Sequence, residues 1–217
     1  DTDGDGLPDC WEDGTLWADG LPGIALDGVY GSTLAPQADT SQRFTLCVDA
    51  NANTVFDQGE CADKRNRDIF VEIDYMEFHR PRSDSVSDVF TAFANAPAFG
   101  PLSGKCDGPG GTAGVRLHVQ VHEQITHVDK TALFPCTGPK VGSDAEFDTI
   151  KTARFGTPAD RTSAASMLML NAKRLAFHYG LFVHNQSPTP PSTSSSSSGC
   201  AELFGNDFIV SMGGWTP

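Results

Sequence analysis

The first twelve residues, DTDGDGLPDCWE, place carboxylates at alternate positions, which is a spacing that can bind a cation. A twelve-residue calcium loop takes its ligands from positions 1, 3, 5, 7, 9 and 12 and has glycine at position 6. Gly6 stands at the glycine position. The ligand positions hold Asp1, Asp3, Asp5, Leu7 (through its backbone carbonyl), Asp9 and Glu12. Carboxylates this close repel one another without a cation, so we predict bound Ca²⁺ rather than a solvated acidic tail.

A second segment, DANANTVFDQGE at residues 49–60, fits the same template less closely. Its ligand positions hold Asp49, Asn51, Asn53, Val55 (through its backbone carbonyl), Asp57 and Glu60. Thr54 replaces the glycine, and two asparagines replace acids, so calcium should bind more weakly here. The alternative is a turn rich in asparagine and aspartate without a cation.

The histidines do not form a recognisable zinc motif. The zincin motif H-E-x-x-H is absent, because His122-Glu123 is followed by His127, one residue too far along. His118 and His122 share one face of a predicted strand, but about 13 Å separates residues four apart at the strand rise. We therefore interpret them as ordinary strand histidines, expect no zinc, and find no catalytic serine, cysteine or phosphate-binding glycine loop.

The composition narrows the functional classes. The 217 residues include 28 acids and 15 bases, which gives a net charge of −13. This charge disfavours nucleic-acid binding, because the chain has no stripe of basic residues that could bind the phosphate groups. No apolar run is long enough to span a membrane. Six cysteines without a C-x-x-C pair indicate disulfides and an oxidising compartment. The chain starts at Asp1 rather than Met, as a processed secreted protein would, so we expect an extracellular location.

The cysteine positions predict three disulfides. Cys47 and Cys61 lie just outside the two ends of the second loop, where a bridge would clamp it. We further expect Cys106–Cys136, which leaves Cys10 with Cys200 by elimination only.

Hydrophobic patterns predict a single α+β domain over residues 1–217, with a mixed sheet and two main helices. The calcium-loop region covers 1–66, the α+β core covers 67–186 and 200–215, and 187–199 is an exposed Ser/Pro-rich loop. The predicted strands are 68–78, 115–125, 179–185 and 206–215. The predicted helices are 83–97, with an apolar face of Val86, Val89, Phe90 and Phe93, and 158–178, with an apolar face that includes Ala164, Met167, Leu168 and Leu175.

Several stretches resemble secreted bacterial and archaeal zinc-metalloprotease-like proteins: the opening calcium loop, DIFVEIDYMEF, GVRLHVQVHEQITH, AFHYGLFVHNQ and CAELFGNDFIVSMGGW. In such proteins the last strand is soon followed by an H-E-x-x-H helix that supplies two zinc ligands and the general base. The sequence ends at Pro217, before any such helix. The resemblance therefore implies a zincin-like scaffold that lacks the active-site helix, and it assigns no catalytic residue to this chain.

These observations predict a secreted, calcium-stabilised structural or interaction module with no catalysis of its own. The alternative is the N-terminal fragment of a secreted zinc metalloprotease whose catalytic half is missing. Self-association through 207–215, into an oligomer or filament, is expected because the apolar strand there lacks a covering helix. A third function is the binding of surface glycans or a cell-envelope partner, through stacking on Trp11, Trp17 and Trp215.

Overall fold

The computed structural model describes residues 1–57, 59–97, 114–133, 146–186, 197–203 and 205–211. The fold is α+β, as predicted, with helices and a mixed sheet in these segments. Two compact units are distinguished by their internal contacts. The first comprises Asp1–Phe70, Ser83–Gln120 and Pro158–Ala176, and the second comprises Val71–Arg82, Val121–Thr157 and Phe177–Pro217.

Helices and strands alternate irregularly along the chain. The helices in the described segments are α1 (Asp9–Glu12), α2 (Ser83–Ala94), α3 (Glu146–Arg154), α4 (Pro158–Thr162) and α5 (Ser166–Ala176). The strands there are β1 (Gly23–Ala25), β2 (Arg43–Thr45), β3 (Arg67–Met76), β4 (Val115–Ile125), β5 (Phe177–Val183), β6 (Gly199–Ala201) and β7 (Asp207–Ser211). The boundary between the two units falls inside β3 and inside β4, so each of these strands belongs partly to both.

The first unit contains both predicted calcium loops and a small antiparallel sheet of two strands. Strands β1 and β2 pair antiparallel, with Ile24 opposite Phe44, and both side chains are buried. Trp17 is only 2% exposed, and its ring lies under the guanidinium of Arg43 at 5.0 Å. The expectation that Trp17 is exposed for stacking on sugars is therefore wrong, because this ring fills the core beside the hairpin.

The second unit contains strands β5, β6 and β7, which include both a parallel and an antiparallel pair. The sheet formed by the described strands has the order β4-β3-β5-β7-β6. Strand β5 pairs with β7 in parallel, with Leu181 opposite Ile209, and β6 pairs with β7 antiparallel. Strand β7 therefore has a neighbour on each side, and β6 is the edge strand nearest to it in the sheet of the described strands.

Most predicted elements are present, with shifted ends. Strand β4 has the predicted bounds, while β3 and α2 match their predictions within a few residues. The single helix predicted at 158–178 is wrong, because the chain breaks between α4 and α5 and strand β5 begins at Phe177. Helix α3 was not predicted, so the described segments contain three helices of nine or more residues instead of two.

The predicted apolar face of the 158–178 helix is also wrong. Met167, Leu168 and Leu175 are 74%, 48% and 62% exposed. Helix α5 instead buries Ala172 and Lys173. The Lys173 ammonium donates a hydrogen bond to Gln120 Oε1 at 3.0 Å and lies 3.7 Å from an Asp160 oxygen. A buried, paired lysine thus fixes which face of the helix packs inward. On α2, Val86, Phe90 and Phe93 are half-buried, but Val89 is exposed.

One predicted disulfide is confirmed and one is wrong. Cys47 and Cys61 are bonded. Cys10 is an exposed free thiol on α1, whereas Cys200 is disulfide-bonded, so the two do not pair with each other. The other predicted pair, Cys106–Cys136, lies outside the described residues, as do Trp215 and most of the 187–199 loop. None of the helices in the described segments has both the length and the apolar character needed to cross a lipid bilayer.

Candidate metal centres

The first loop has the backbone of a cation-binding loop. Gly4 and Gly6 adopt left-handed backbone angles, with φ of 77° and 98°. Their amides donate to the two carboxylate oxygens of Asp1, at 2.6 and 3.2 Å, and the amide of Leu7 donates to Asp5 Oδ1 at 2.7 Å. These short-range bonds fold the loop around its own acidic side chains.

Most of the predicted acidic ligands of this loop come together. Asp1, Asp3 and Asp5 each offer an oxygen within 4.8 Å of the others, and Asp5 forms a second such group with Glu12 and with Asp68, which was not predicted. Leu7 is buried at its predicted place in the loop. Asp9 is the exception, because its carboxylate accepts hydrogen bonds from the amide and hydroxyl of Thr2 at 2.6 and 2.8 Å. The ninth position of such loops often contacts calcium through water, so this arrangement is compatible with the template.

Glu12 is the most informative ligand. It is 4% exposed, and neither of its carboxylate oxygens has a hydrogen-bond partner within the described part of the chain. Burial raises its pKa to about 9, and the charges of Asp5, Asp3 and Asp68 add to the effect. Burial likewise raises the pKa of Asp3 to about 6, followed by the charge of Asp5. A buried carboxylate without a partner is costly, and a divalent cation would both neutralise it and satisfy its oxygens.

Asp68 anchors the loop to strand β3, a role that the sequence did not reveal. Its amide donates to Asp5 Oδ2 at 2.8 Å. Its carboxylate accepts two hydrogen bonds from Arg116, both at 2.8 Å, and lies 2.7 Å from His118 Nε2. The charge of Asp68 is thus paired with that of Arg116. Asp68 is a single acid near the start of a strand, so it forms no spacing pattern in the sequence. Only its position in space, next to the acids of the first loop, indicates this role.

The second loop follows the same backbone path as the first. Ala52 and Thr54, which correspond to Gly4 and Gly6, are left-handed, with φ of 57° and 68°. The amide of Thr54 donates to Asp49 Oδ2 at 2.7 Å, as the amide of Gly6 does to Asp1. Because non-glycine residues rarely adopt this conformation, its presence at Thr54 indicates that the loop is held in the calcium-loop shape.

Several predicted ligands of the second loop are bonded to one another. The Asn51 and Asn53 side-chain amides both donate to Asp57 Oδ2, at 2.8 and 2.9 Å. The two oxygens of Glu60 accept the amides of Ala50 and Asp57 at 2.9 and 2.8 Å. All of these residues except half-exposed Glu60 are exposed, as is Val55. A cation would have to displace some of these bonds, which agrees with the weaker binding predicted for this loop.

A buried cluster of two acids and a histidine lies on β3 and β4. Glu72 and Asp74 are fully buried, and His122 Nδ1 lies 3.5 Å from Asp74 Oδ1 and 3.9 Å from Glu72 Oε1. Tyr179 donates its hydroxyl to Asp74 at 2.8 Å, and burial, followed by the charge of Asp74, raises the pKa of Tyr179. The amide of Gly156 donates to Glu72 at 3.0 Å. These contacts give both carboxylates hydrogen-bond partners.

The two strand histidines therefore have different partners. His118 stacks on Phe70 with ring centroids 4.3 Å apart and contacts Asp68, whereas His122 faces Glu72 and Asp74. They do not form a shared group of potential metal ligands in the described residues.

Three other histidines, from distant parts of the sequence, converge in the second unit. His79, His127 and His184 each offer a ring nitrogen within 4.8 Å of the others. His184 Nδ1 lies 3.2 Å from His79 Nε2. All three side chains are half-buried. No sequence spacing rule predicts this histidine triad, because each residue comes from a different connection in the chain. No known protein family, curated protein or solved structure gives a significant match to the chain.

Proposed function

We propose that the chain is a calcium-stabilised extracellular structural module, in which Ca²⁺ bound by the first loop fastens the N-terminal segment to strand β3. The observation that carries this proposal is the buried carboxylate of Glu12, whose two oxygens lack a partner among the described residues. The other ligands are Asp1, Asp3 and Asp5 through their side chains, Leu7 through its carbonyl, and Asp9 through water. With Ca²⁺ bound, the ion completes the polar contacts that the protein alone leaves open.

The anchoring contacts explain why calcium would matter to the fold. The amide of Asp68 donates to Asp5, and Arg67 Nε donates to the carbonyl of Asp3 at 2.9 Å. Both contacts join the start of β3 to the loop. An ion that fixes Asp3 and Asp5 therefore also fixes the start of a central strand. Without the ion, mutual repulsion of the loop acids works against the same contacts.

The second loop is the weaker calcium site of this proposal. Asp49, Asn51, Asn53, Asp57 and Glu60 surround the loop, and the Cys47–Cys61 disulfide closes it. The proposed extracellular location rests on disulfide bonding at Cys47, Cys61 and Cys200, since such bonds persist in oxidising compartments.

Calorimetric titration with Ca²⁺ tests the proposal. We expect one tight binding event from the first loop and a weaker one from the second. The replacement Asp5→Asn should weaken the tight event alone, and Asp49→Asn should weaken the weak event alone. Asp27→Asn, which changes an exposed acid outside both loops, serves as the control. Absence of calcium binding at millimolar concentration would contradict the proposal.

The second candidate is the N-terminal part of a secreted zinc-metalloprotease-like protein. The mixed sheet supports it, because β7 carries the NDFIVS stretch of the resemblance and lies between β5 and β6 in the sheet. In this candidate, a helix with H-E-x-x-H would continue from the residues that follow β7. The test is the downstream sequence of the encoding gene. An H-E-x-x-H motif shortly after Pro217 would favour the protease, and a stop codon there would favour the structural module.

A further inference from the structure

The histidine triad lies at one edge of the sheet. His79 follows β3, His127 follows β4, and His184 follows β5 directly. These three strands are neighbours in the order β4-β3-β5. Side chains that follow the ends of adjacent strands commonly build ligand sites, because the strands hold the following loops in fixed positions.

Backbone hydrogen bonds hold the three connections together. The amide of Glu77 donates to the carbonyl of Ile125 at 3.1 Å, which joins the segments that lead to His79 and His127. The amide of Thr131 donates to the carbonyl of Asn185 at 2.9 Å, which joins the segments around His127 and His184. The triad is therefore fixed by the backbone on both sides and does not depend on side-chain contacts alone.

The turn before His79 has an unusual conformation. Phe78 is left-handed, with φ of 67°, although its side chain is 90% exposed. Packing of the Phe78 ring does not explain this conformation, which costs a non-glycine residue on the order of 1 kcal/mol or more. The turn closes through the amide of His79, which donates to the carbonyl of Met76 at 2.8 Å. The residue that ends this turn is His79, whose ring nitrogen belongs to the triad.

The dimensions of the triad match those of a tetrahedral zinc site. For Zn–N bonds of about 2.0 Å, tetrahedral geometry places two ligand nitrogens about 3.3 Å apart and the ring centroids about 5 Å apart. The nitrogens of His79 and His184 are 3.2 Å apart. The centroid distances are 5.5 Å for His79–His127, 5.2 Å for His79–His184 and 5.0 Å for His127–His184.

Although the sequence alone led us to expect no zinc, we propose that His79, His127 and His184 form a binding site for Zn²⁺ that shares no ligand with the two predicted calcium loops. Neutral imidazole nitrogens are preferred ligands for zinc, whereas calcium takes oxygen ligands, so the two kinds of site select different ions. Three protein ligands leave a fourth position, which solvent reaches because the side chains are half-exposed. The ion would join the connections after β3, β4 and β5.

The short contact between two of these imidazoles has one other explanation. A hydrogen bond between His184 and His79 without any metal is the competing explanation of the 3.2 Å distance.

The first experiment is titration of the full chain, disulfides intact and saturated with Ca²⁺, with Zn²⁺ by calorimetry and with Co²⁺ by visible absorption. We expect one equivalent of each ion and the intense visible bands of tetrahedral Co²⁺. No binding, or the weak spectrum of octahedral Co²⁺, would overturn the proposal. A thiolate-to-cobalt charge-transfer band would also overturn it, because that band would place the ion at a cysteine thiol, such as the free thiol of Cys10, instead of the triad. These readouts do not depend on whether the loops bind calcium.

Variants locate the ion. His79→Gln, His127→Gln and His184→Gln should each weaken Zn²⁺ binding more than about 10-fold, since even outer contacts of metal ligands are worth 10- to 100-fold in affinity. His178→Gln, in β5 but outside the triad, is the matched control and should leave the affinity unchanged. His122→Gln tests the buried cluster with Glu72 and Asp74. Loss of binding in His122→Gln with retention in the triad variants would overturn the proposal.

Discussion

At the scale of single residues, Glu12 is the main reason to propose that the first loop binds calcium. Acidic side chains at the surface are commonly solvated and need no ion. Glu12 is different because it is buried, its oxygens are unpartnered in the described segments, and its pKa is raised to about 9. In the absence of an ion, Glu12 is therefore mostly protonated at neutral pH, and cation binding must displace that proton.

Replacement of the Glu12 carboxylate should lower the affinity for calcium without lowering the stability of the calcium-free protein. We predict that Glu12→Gln weakens calcium binding about 100-fold, or about 2.7 kcal/mol, because a bidentate charged ligand is lost. The same change should raise the melting temperature in chelator above about pH 4.5, because glutamine has the shape of a protonated glutamate but, unlike Glu12, releases no proton on unfolding. Calorimetry and thermal unfolding measure the two quantities. Glu77→Gln, at an exposed position, is the matched control, and equal calcium affinity in both variants would contradict the prediction.

The raised pKa values also predict how stability depends on pH. In chelator, the pKa of Glu12 rises from 4.5 to about 9 on folding, so its contribution to stability is complete below about pH 4.5 and is lost as the pH rises toward 9. Asp3, with a pKa raised to about 6, acts in the same direction. The chelated protein should therefore melt at a lower temperature at about pH 8.5 than at about pH 5.5.

Calcium should remove this loss, because the bound ion favours the ionised carboxylates. The difference in melting temperature between calcium and chelator should accordingly grow as the pH rises. Glu12→Gln, measured in parallel, should show a smaller pH dependence in chelator. A calcium effect that shrinks with rising pH would be inconsistent with Glu12 as a ligand.

The residues of the first loop were predictable from sequence because all their ligands fall within twelve positions. The same property explains what was missed. Asp68 reaches the loop from strand β3, and the histidine triad is assembled by the ends of three strands. Such sites depend on tertiary structure, and local spacing does not encode them. Glu72 and Asp74, in a strand that reads as apolar and buried, were missed for the same reason.

At the scale of elements, the two loops share one backbone path with different residues. The second loop adopts left-handed angles at Ala52 and Thr54, where the first has glycines. The Cys47–Cys61 disulfide and the hydrogen bond from the amide of Val48 to the carbonyl of Glu60, at 2.8 Å, hold its ends. The surrounding structure therefore imposes a conformation that Thr54 does not favour.

This strain can be tested by one substitution. Thr54→Gly should stabilise the protein in chelator by about 0.5–1 kcal/mol, because glycine adopts the left-handed conformation at no steric cost. Ala50→Gly, in the same loop but without positive φ, should destabilise it by a similar amount. Chemical denaturation of both variants gives the comparison. A Thr54→Gly variant that is less stable than the parent would show that the loop conformation is not strained.

The predictions of helices and strands were accurate where the hydrophobic pattern allows only one interpretation, and inaccurate where it allows several. Strand β4 was predicted with correct bounds because apolar and polar residues alternate strictly from Val115 to His122, and Ile125 is the last apolar residue of the run. The prediction for the 158–178 helix was wrong about its buried face, because the periodicity of the sequence is compatible with burial of more than one helix face. Burial of Lys173 depends on Gln120, which is remote in sequence, and on Asp160 in the preceding helix α4. Pairing of β5 with β7 then ends the helix at Ala176.

At the scale of the whole molecule, self-association through the region around β7 stays a prediction. Strand β7 is paired on both sides, so the edge available near it is the short strand β6. Exposed strand edges pair with other chains unless they are blocked. Light scattering at micromolar concentration in calcium should give a mass of at least twice the 23.1 kDa of one chain.

A lysine on this edge should block the association. Ala201→Lys should return the protein to a monomer, because charged edge residues oppose strand pairing. Ala38→Lys, at an exposed site outside the sheet, should leave the oligomer intact. A constant mass of 23.1 kDa for the unmodified chain would contradict self-association.

The most direct test of the central claim is the thermal unfolding of the intact chain in excess Ca²⁺ and in excess chelator, with the two samples otherwise identical. Binding to the folded state alone at a thousandfold excess over Kd contributes about 4 kcal/mol, which corresponds to a rise of about 10 °C for a chain of this length. We predict a rise of that order with Ca²⁺, and only a small rise in Glu12→Gln. An identical melting temperature in calcium and in chelator would contradict the account.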